Sequence, residues 1–99
     1  MKTILKTSEN ILTFKELLNN FVLSAQVEGK SERILELYNE VLIYFYGFIK
    51  KEPENITTND VRAYLNELNQ KGYAKTTIWA HYKELKIFFN FCFREGYSF

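Results

Sequence analysis

The last quarter of the chain, GYAKTTIWAHYKELKIFFNFCFREGY, residues 72–97, constrains the fold more than any other stretch. After a glycine turn it opens on the hydroxyl pair Thr76 and Thr77, then runs for about five turns without Pro or Gly until Gly96. Ile78, Tyr82, Leu85, Phe89 and Cys92 recur at steps of three and four, which predicts one buried helical face. Lys75, Trp79, Lys83, Lys86 and Asn90 recur at similar spacing on the opposite face. An apolar inside with a cationic, aromatic outside suits a helix lying against a phosphate backbone. A solvated helix face is also charged, so the pattern alone is suggestive only.

The stretches before it read as three more helices. Thr13 and Glu16 form the capping-box pattern T-F-K-E, and Phe14, Leu17, Leu18, Phe21 and Val22 follow at helical spacing towards a turn at Glu28, Gly29 and Lys30. Ser31 caps the second helix, whose buried stripe is Leu35, Tyr38, Leu42, Phe45 and Ile49, widened by Ile34, Val41 and Phe48. Gly47 interrupts an otherwise apolar run, which predicts a close helix contact or a bend. Thr57 or Thr58 caps a third helix with Val61, Tyr64, Leu65 and Leu68 inside, ended by Gly72. Residues 1–12 show no sustained period and read as a flexible lead-in to a domain over 13–97. No strand pattern competes, so the expected fold is all-α.

Composition narrows the function. With 99 residues and 46% hydrophobic side chains, the chain can bury one core without metal or disulfide support. Its single cysteine, Cys92, falls on the apolar stripe and reads as a buried reduced thiol of a cytoplasmic protein. No apolar run is long enough for a membrane span or a secretory signal, so no membrane partner is expected. Net charge is only +1, but residues 71–99 hold five basic and two acidic side chains, so the positive charge gathers in the last helix. His81 is the one histidine, without Cys or His nearby at ligand spacing, and reads as a packing residue at the stripe's edge. There is no nucleophile–base arrangement and no glycine-rich phosphate loop. The chain reads as a non-enzyme without cofactor or metal.

The order of these elements resembles the N-terminal core-binding domain of tyrosine recombinases, the phage integrase family. The matching features are T-F-K-E-L-L-N-N-F, the G-K-S turn, Y-x-x-x-L-x-x-F-x-x-x-I over 38–49, I-T-T-N-D-V-x-x-Y-L over 56–65, G-Y-x-x-T-T-I, and L-K-x-F-F-x-F-x-x-x-E-G-Y. Each motif alone is a cap plus a stripe; their order over residues 13–97 is more specific. The resemblance implies an orthogonal SAM-like bundle of four, at most five, helices. It also implies double-stranded DNA as partner, gripped through the second and fourth helices. Carried onto this chain, the contacts are Lys30, Ser31 and Arg33, then Lys75, Thr76, Thr77, Trp79, Lys83 and Lys86. Strand cleavage by a tyrosine nucleophile belongs to a separate C-terminal domain in this family, so none of the seven tyrosines here is expected to be that nucleophile. Other implied partners are that catalytic domain and neighbouring recombinase protomers. The chain thus reads as a piece of a longer recombinase, ending where an interdomain linker would begin.

Two positions depart from the family's habit. Ile34 stands where Thr is frequent, and Ala74 where Ser or another small polar residue is frequent. If those hydroxyls normally meet phosphate, this chain has lost two such contacts or moved them to Thr76 and Thr77. Part of the aromatic run Tyr44, Phe45, Tyr46 and Phe48 reads as an exposed surface for the catalytic domain or a neighbouring protomer, and that surface supplies the rival reading, a SAM-like helical module for protein–protein contact.

Overall fold

Among the described residues, hydroxyl caps start three of the four helices, and glycine turns end two of them. In the computed structural model, which describes residues 13–95, α1 spans Phe14–Val27, α2 Glu32–Ile49, α3 Thr58–Gln70 and α4 Lys75–Arg94. A single 3-10 turn, Pro53–Asn55, lies between α2 and α3, and the four helices pack as an orthogonal bundle. The lead-in expected over residues 1–12, the stop at Gly96 and the boundary at Tyr97 lie outside the described residues.

Local chemistry sets the boundaries. Thr13 accepts a hydrogen bond from the Glu16 N–H at 3.2 Å while Glu16 accepts from the Thr13 N–H at 2.9 Å, closing the capping box of α1. Thr57 and Asp60 repeat the device on α3, and Ser31 accepts from Ile34 N–H on α2. After α1, the Gly29 N–H bonds to the Gln26 carbonyl and the Lys30 N–H to that of Ala25. After α3, Gly72 and Tyr73 bond in the same way to Asn69 and Leu68. Both are Schellman turns, which need a positive φ at the residue past the cap; Gly29 and Gly72 supply 89° and 85°. These turns fix the directions in which α2 and α4 leave.

The core is aromatic. Phe45 of α2 is fully buried and its ring meets those of Phe14, Tyr64 and Phe89 at centroid distances of 6.2, 5.1 and 6.0 Å, so all four helices converge on it. Phe14, Phe21, Phe88 and Phe91 extend the cluster between α1 and α4. Glu52, in the loop after α2, accepts from the Phe14 N–H at 3.0 Å and the Tyr46 hydroxyl at 2.9 Å. It thereby ties the start of α1 to the end of α2. Among the described residues no helix is long and apolar enough to cross a membrane.

Two expectations need correction. Tyr82 is not a core residue: it is exposed and stacks on Trp79, while Phe88 and Phe91 take the inward positions with Leu85 and Cys92. The aromatic run of α2 is exposed in part, as expected: Tyr44 and Phe48 are exposed, Tyr46 is half-buried against Phe14, and Phe45 is buried. Gly47 makes no close helix contact, because a Cβ built there meets nothing within 4 Å. The glycine therefore only weakens the helix through its backbone freedom. Gly47→Ala is expected to stabilise the fold by about 0.5–1 kcal/mol, read as an upward shift of the urea midpoint at unchanged m-value.

Candidate nucleic-acid interface

The outward side of α4 is built by what its inward side excludes. Leu85, Phe88, Phe91 and Cys92 point into the core, and burial pushes the Cys92 thiol up to about 12, so it stays an inert thiol at neutral pH. At 100° per residue, Lys75, Trp79, Lys83, Lys86, Asn90 and Arg94 then fall within one arc of about 100° on the far side. All six are exposed. The helix contains one carboxylate, Glu84, and it turns away from that arc: its Oε1 is buried without a hydrogen-bond partner and burial raises its pKa. Among the described residues no carboxylate forms an ion pair with Lys75, Lys83, Lys86 or Arg94. By contrast, Lys51 pairs with Asp60 at 3.0 Å and Lys71 with Glu67 at 3.4 Å.

Aromatic rings interleave with these cations. Trp79 is 55% exposed. Its ring packs beside Tyr82 at 5.4 Å between centroids, and the Lys83 Nζ lies 5.8 Å from its centroid. At a solvent-facing site such a cation–π contact contributes about 0.5–1 kcal/mol, enough to hold Lys83 over the ring and weak enough to exchange for a phosphate.

The helix start is also open. Ala74 occupies the N-cap position with no side-chain cap, so no hydroxyl covers the backbone N–H groups of Lys75, Thr76 and Thr77. Thr76 and Thr77 lie inside the first turn and do not cap it. Thr76 is exposed and Thr77 half-buried. Free amides, a threonine hydroxyl and the positive end of the helix dipole together favour an anion.

Of the other candidates, Lys30, Ser31 and Arg33 are exposed at the start of α2, with the Ser31 oxygen already engaged as the cap. They do not join the first turn of α4. Lys30 lines a depression of about 280 Å³ with Ser24, Glu28, Tyr38, Ile87 and Arg94, which is the C-terminal half of α4. Lys30 thus lies beside the C-terminal half of α4, at the end of that helix opposite to Lys75. Sequence reasoning missed Arg94, Phe93 and Tyr82 on this face; plotting the residues at 100° steps would have found them.

His81 anchors α4 from behind. The Tyr64 hydroxyl lies 2.6 Å from its Nδ1. Burial lowers the His81 pKa and raises that of the Tyr64 phenol, so both are neutral near pH 7 and the phenol donates to Nδ1. The unfolded chain then takes up the His81 proton at higher pH than the folded one. Its contribution is present in full above the ordinary histidine value of 6.5 and is lost as pH falls from there through the lowered folded value. Glu84, raised by burial, acts in the opposite sense above its ordinary 4.5. The melting temperature of the wild type is expected to fall more between pH 7.5 and 5 than that of His81→Gln, which isolates the imidazole from Glu84.

Residues 17–97 match the family described as phage integrase, N-terminal SAM-like domain. The chain belongs to that family. This SAM-like domain is 31% identical over 81 residues to the tyrosine recombinase XerC of Thermodesulfovibrio yellowstonii, covering 81% of the chain and 27% of the relative. It is 35% identical over 70 residues to XerC of Listeria innocua, covering 67% and 23%. With XerC of Listeria monocytogenes it shares 34% over 63 residues, covering 60% and 21%. The SAM-like domain therefore spans about a quarter of the length of the curated relatives it matches. No solved structure matches it at a significant level. It corresponds to the non-catalytic N-terminal core-binding domain of tyrosine recombinases, and among its described residues no group of three His, Cys, Asp or Glu is placed to hold a metal ion.

Proposed function

We propose that this domain grips duplex DNA along the outward face of α4 while a separate catalytic domain of the same recombinase cuts and rejoins strands in DNA integration or recombination. One observation carries the reading: α4 turns its only carboxylate inward and leaves Lys75, Lys83, Lys86 and Arg94 outward, with no ion-pair partner among the described residues. An ordinary solvated helix mixes both signs on its outer face, whereas a cation-only face attracts a polyanion even when net charge is +1. Phosphate contacts by the lysines and the open helix start set register and affinity. Thr77, Trp79 and Lys83 are the side chains positioned for base edges, hence for any sequence preference. Lys30, Ser31 and Arg33 add contacts from the start of α2. The catalytic domain and neighbouring protomers are the protein partners of this reading, and the cytoplasm its setting.

Titrating the labelled domain with a short duplex, followed by NMR, tests it. Shifts are expected at 75–86 and 30–33, with a dissociation constant of about 10⁻⁴–10⁻⁶ M that weakens as salt rises. No shift even at low salt would overturn it. The second reading, a protein–protein module, is supported by Ile43, Tyr44, Phe48 and Tyr73, which expose apolar and aromatic surface.

A further inference from the structure

Exposed cations stand at both ends of α4. From Lys75 to Arg94 the helix advances about 28 Å at 1.5 Å per residue. That exceeds the roughly 12 Å width of a major groove, so a helix laid across the groove overhangs the backbones of both strands. At one end stand Lys75 and the uncapped amides. At the other stands Arg94, exposed on the last turn and lining the same depression as Lys30. The Schellman turn after α1 holds the Lys30 backbone there through its N–H to the Ala25 carbonyl, at 3.1 Å. Glu28 lines the depression too, so two cations face one carboxylate, with the Ser24 hydroxyl beside them.

We infer that Arg94 and Lys30 form a second phosphate-binding end of α4, which meets the strand opposite to the one held by Lys75 and the helix start. This rests on the DNA-binding reading above. The division of labour follows from position: Trp79, Lys83 and Lys86 occupy the middle of the helix and face the groove, and the two ends straddle it.

The test is the salt dependence of binding to a twelve-base-pair duplex, measured by fluorescence anisotropy with the 99-residue chain. Each phosphate contact contributes about 0.9 to the slope of log K against log salt. Arg94→Gln and Lys30→Gln are each expected to lower the slope by about 0.9, and the pair by about 1.8, while Arg94→Lys keeps the wild-type slope. Both residues are exposed, so the fold survives, which a thermal melt checks. Wild-type slopes in Arg94→Gln and Lys30→Gln, with binding still weakened by changes at Lys83 and Lys86, would overturn the second end and leave the DNA-binding reading standing. A loss of affinity in Arg94→Gln at unchanged slope would mark a structural role at the helix end and overturn it equally. Failure of the wild type to bind at 20 mM salt would remove both.

Discussion

Phe45→Ala is expected to lower the unfolding free energy by about 3–5 kcal/mol. The side chain is fully buried and its ring touches one aromatic from each of the other three helices, so no neighbour can move into the space without leaving its own contacts. The loss combines the transfer free energy of the ring with the cavity it leaves. Domains of this size hold only about 5–15 kcal/mol in total, so the variant is expected to be marginal at 37 °C and to unfold at much lower urea. Phe45→Leu, which keeps most of the volume, should cost well under half as much. If equilibrium urea unfolding gave less than about 1.5 kcal/mol for the alanine variant, Phe45 would not be where the helices meet.

That Phe45 is buried was readable in advance, because it lies on a stripe whose polar side is clear; that three other helices meet on it was not. Glu32, Arg33, Glu36 and Glu40 define the outside of α2, and the rest follows at 3.6 residues per turn. The caps were readable for the same kind of reason: Thr13 with Glu16 and Thr57 with Asp60 are local devices that need no knowledge of the tertiary fold. The second half of α4 was harder. In Ile87–Phe88–Phe89–Asn90–Phe91–Cys92–Phe93 nearly every position is apolar, so several stripes fit equally well. The one through Tyr82 and Phe89 is self-consistent but rotated from the one that packs, through Leu85, Phe88, Phe91 and Cys92. Tyr82 is amphipathic and tolerates the exposed place beside Trp79. The interface divides in the same way. Lys75, Trp79, Lys83 and Lys86 were legible as one face because a single helix carries them. That Lys30 meets the C-terminal half of α4 depends on how α2 crosses α4, and no local pattern contains a crossing angle.

The charge reversal Lys83→Glu with Lys86→Glu is expected to weaken duplex binding by about 10²-fold at 50 mM salt and to lower the salt slope by about 1.8. Two lost contacts, each releasing about 0.9 counterion, account for roughly two decades at that salt, and the new carboxylates repel phosphate in addition. Stability should hardly change, since both side chains are exposed and neither forms an ion pair with a carboxylate among the described residues. Lys83→Glu does give up the contact with Trp79, which at the surface amounts to under about 1 kcal/mol. Lys15→Glu is the matched control: it is exposed on α1, beside the groove lined by Leu18, Asn39 and Ile43, and it makes the same change of net charge per site. It should alter binding by no more than about twofold, because it lies on α1, outside the outward face of α4, and exposed charges away from the contact are weakened by salt screening. A control loss half as large, in log units, as that of the double reversal would mean that only net charge matters and that α4 is not the contact face. An unchanged affinity in the double reversal would make the lysine face ordinary solvated surface, and Tyr44, Phe48 and Tyr73 would become the contact to pursue with a protein partner.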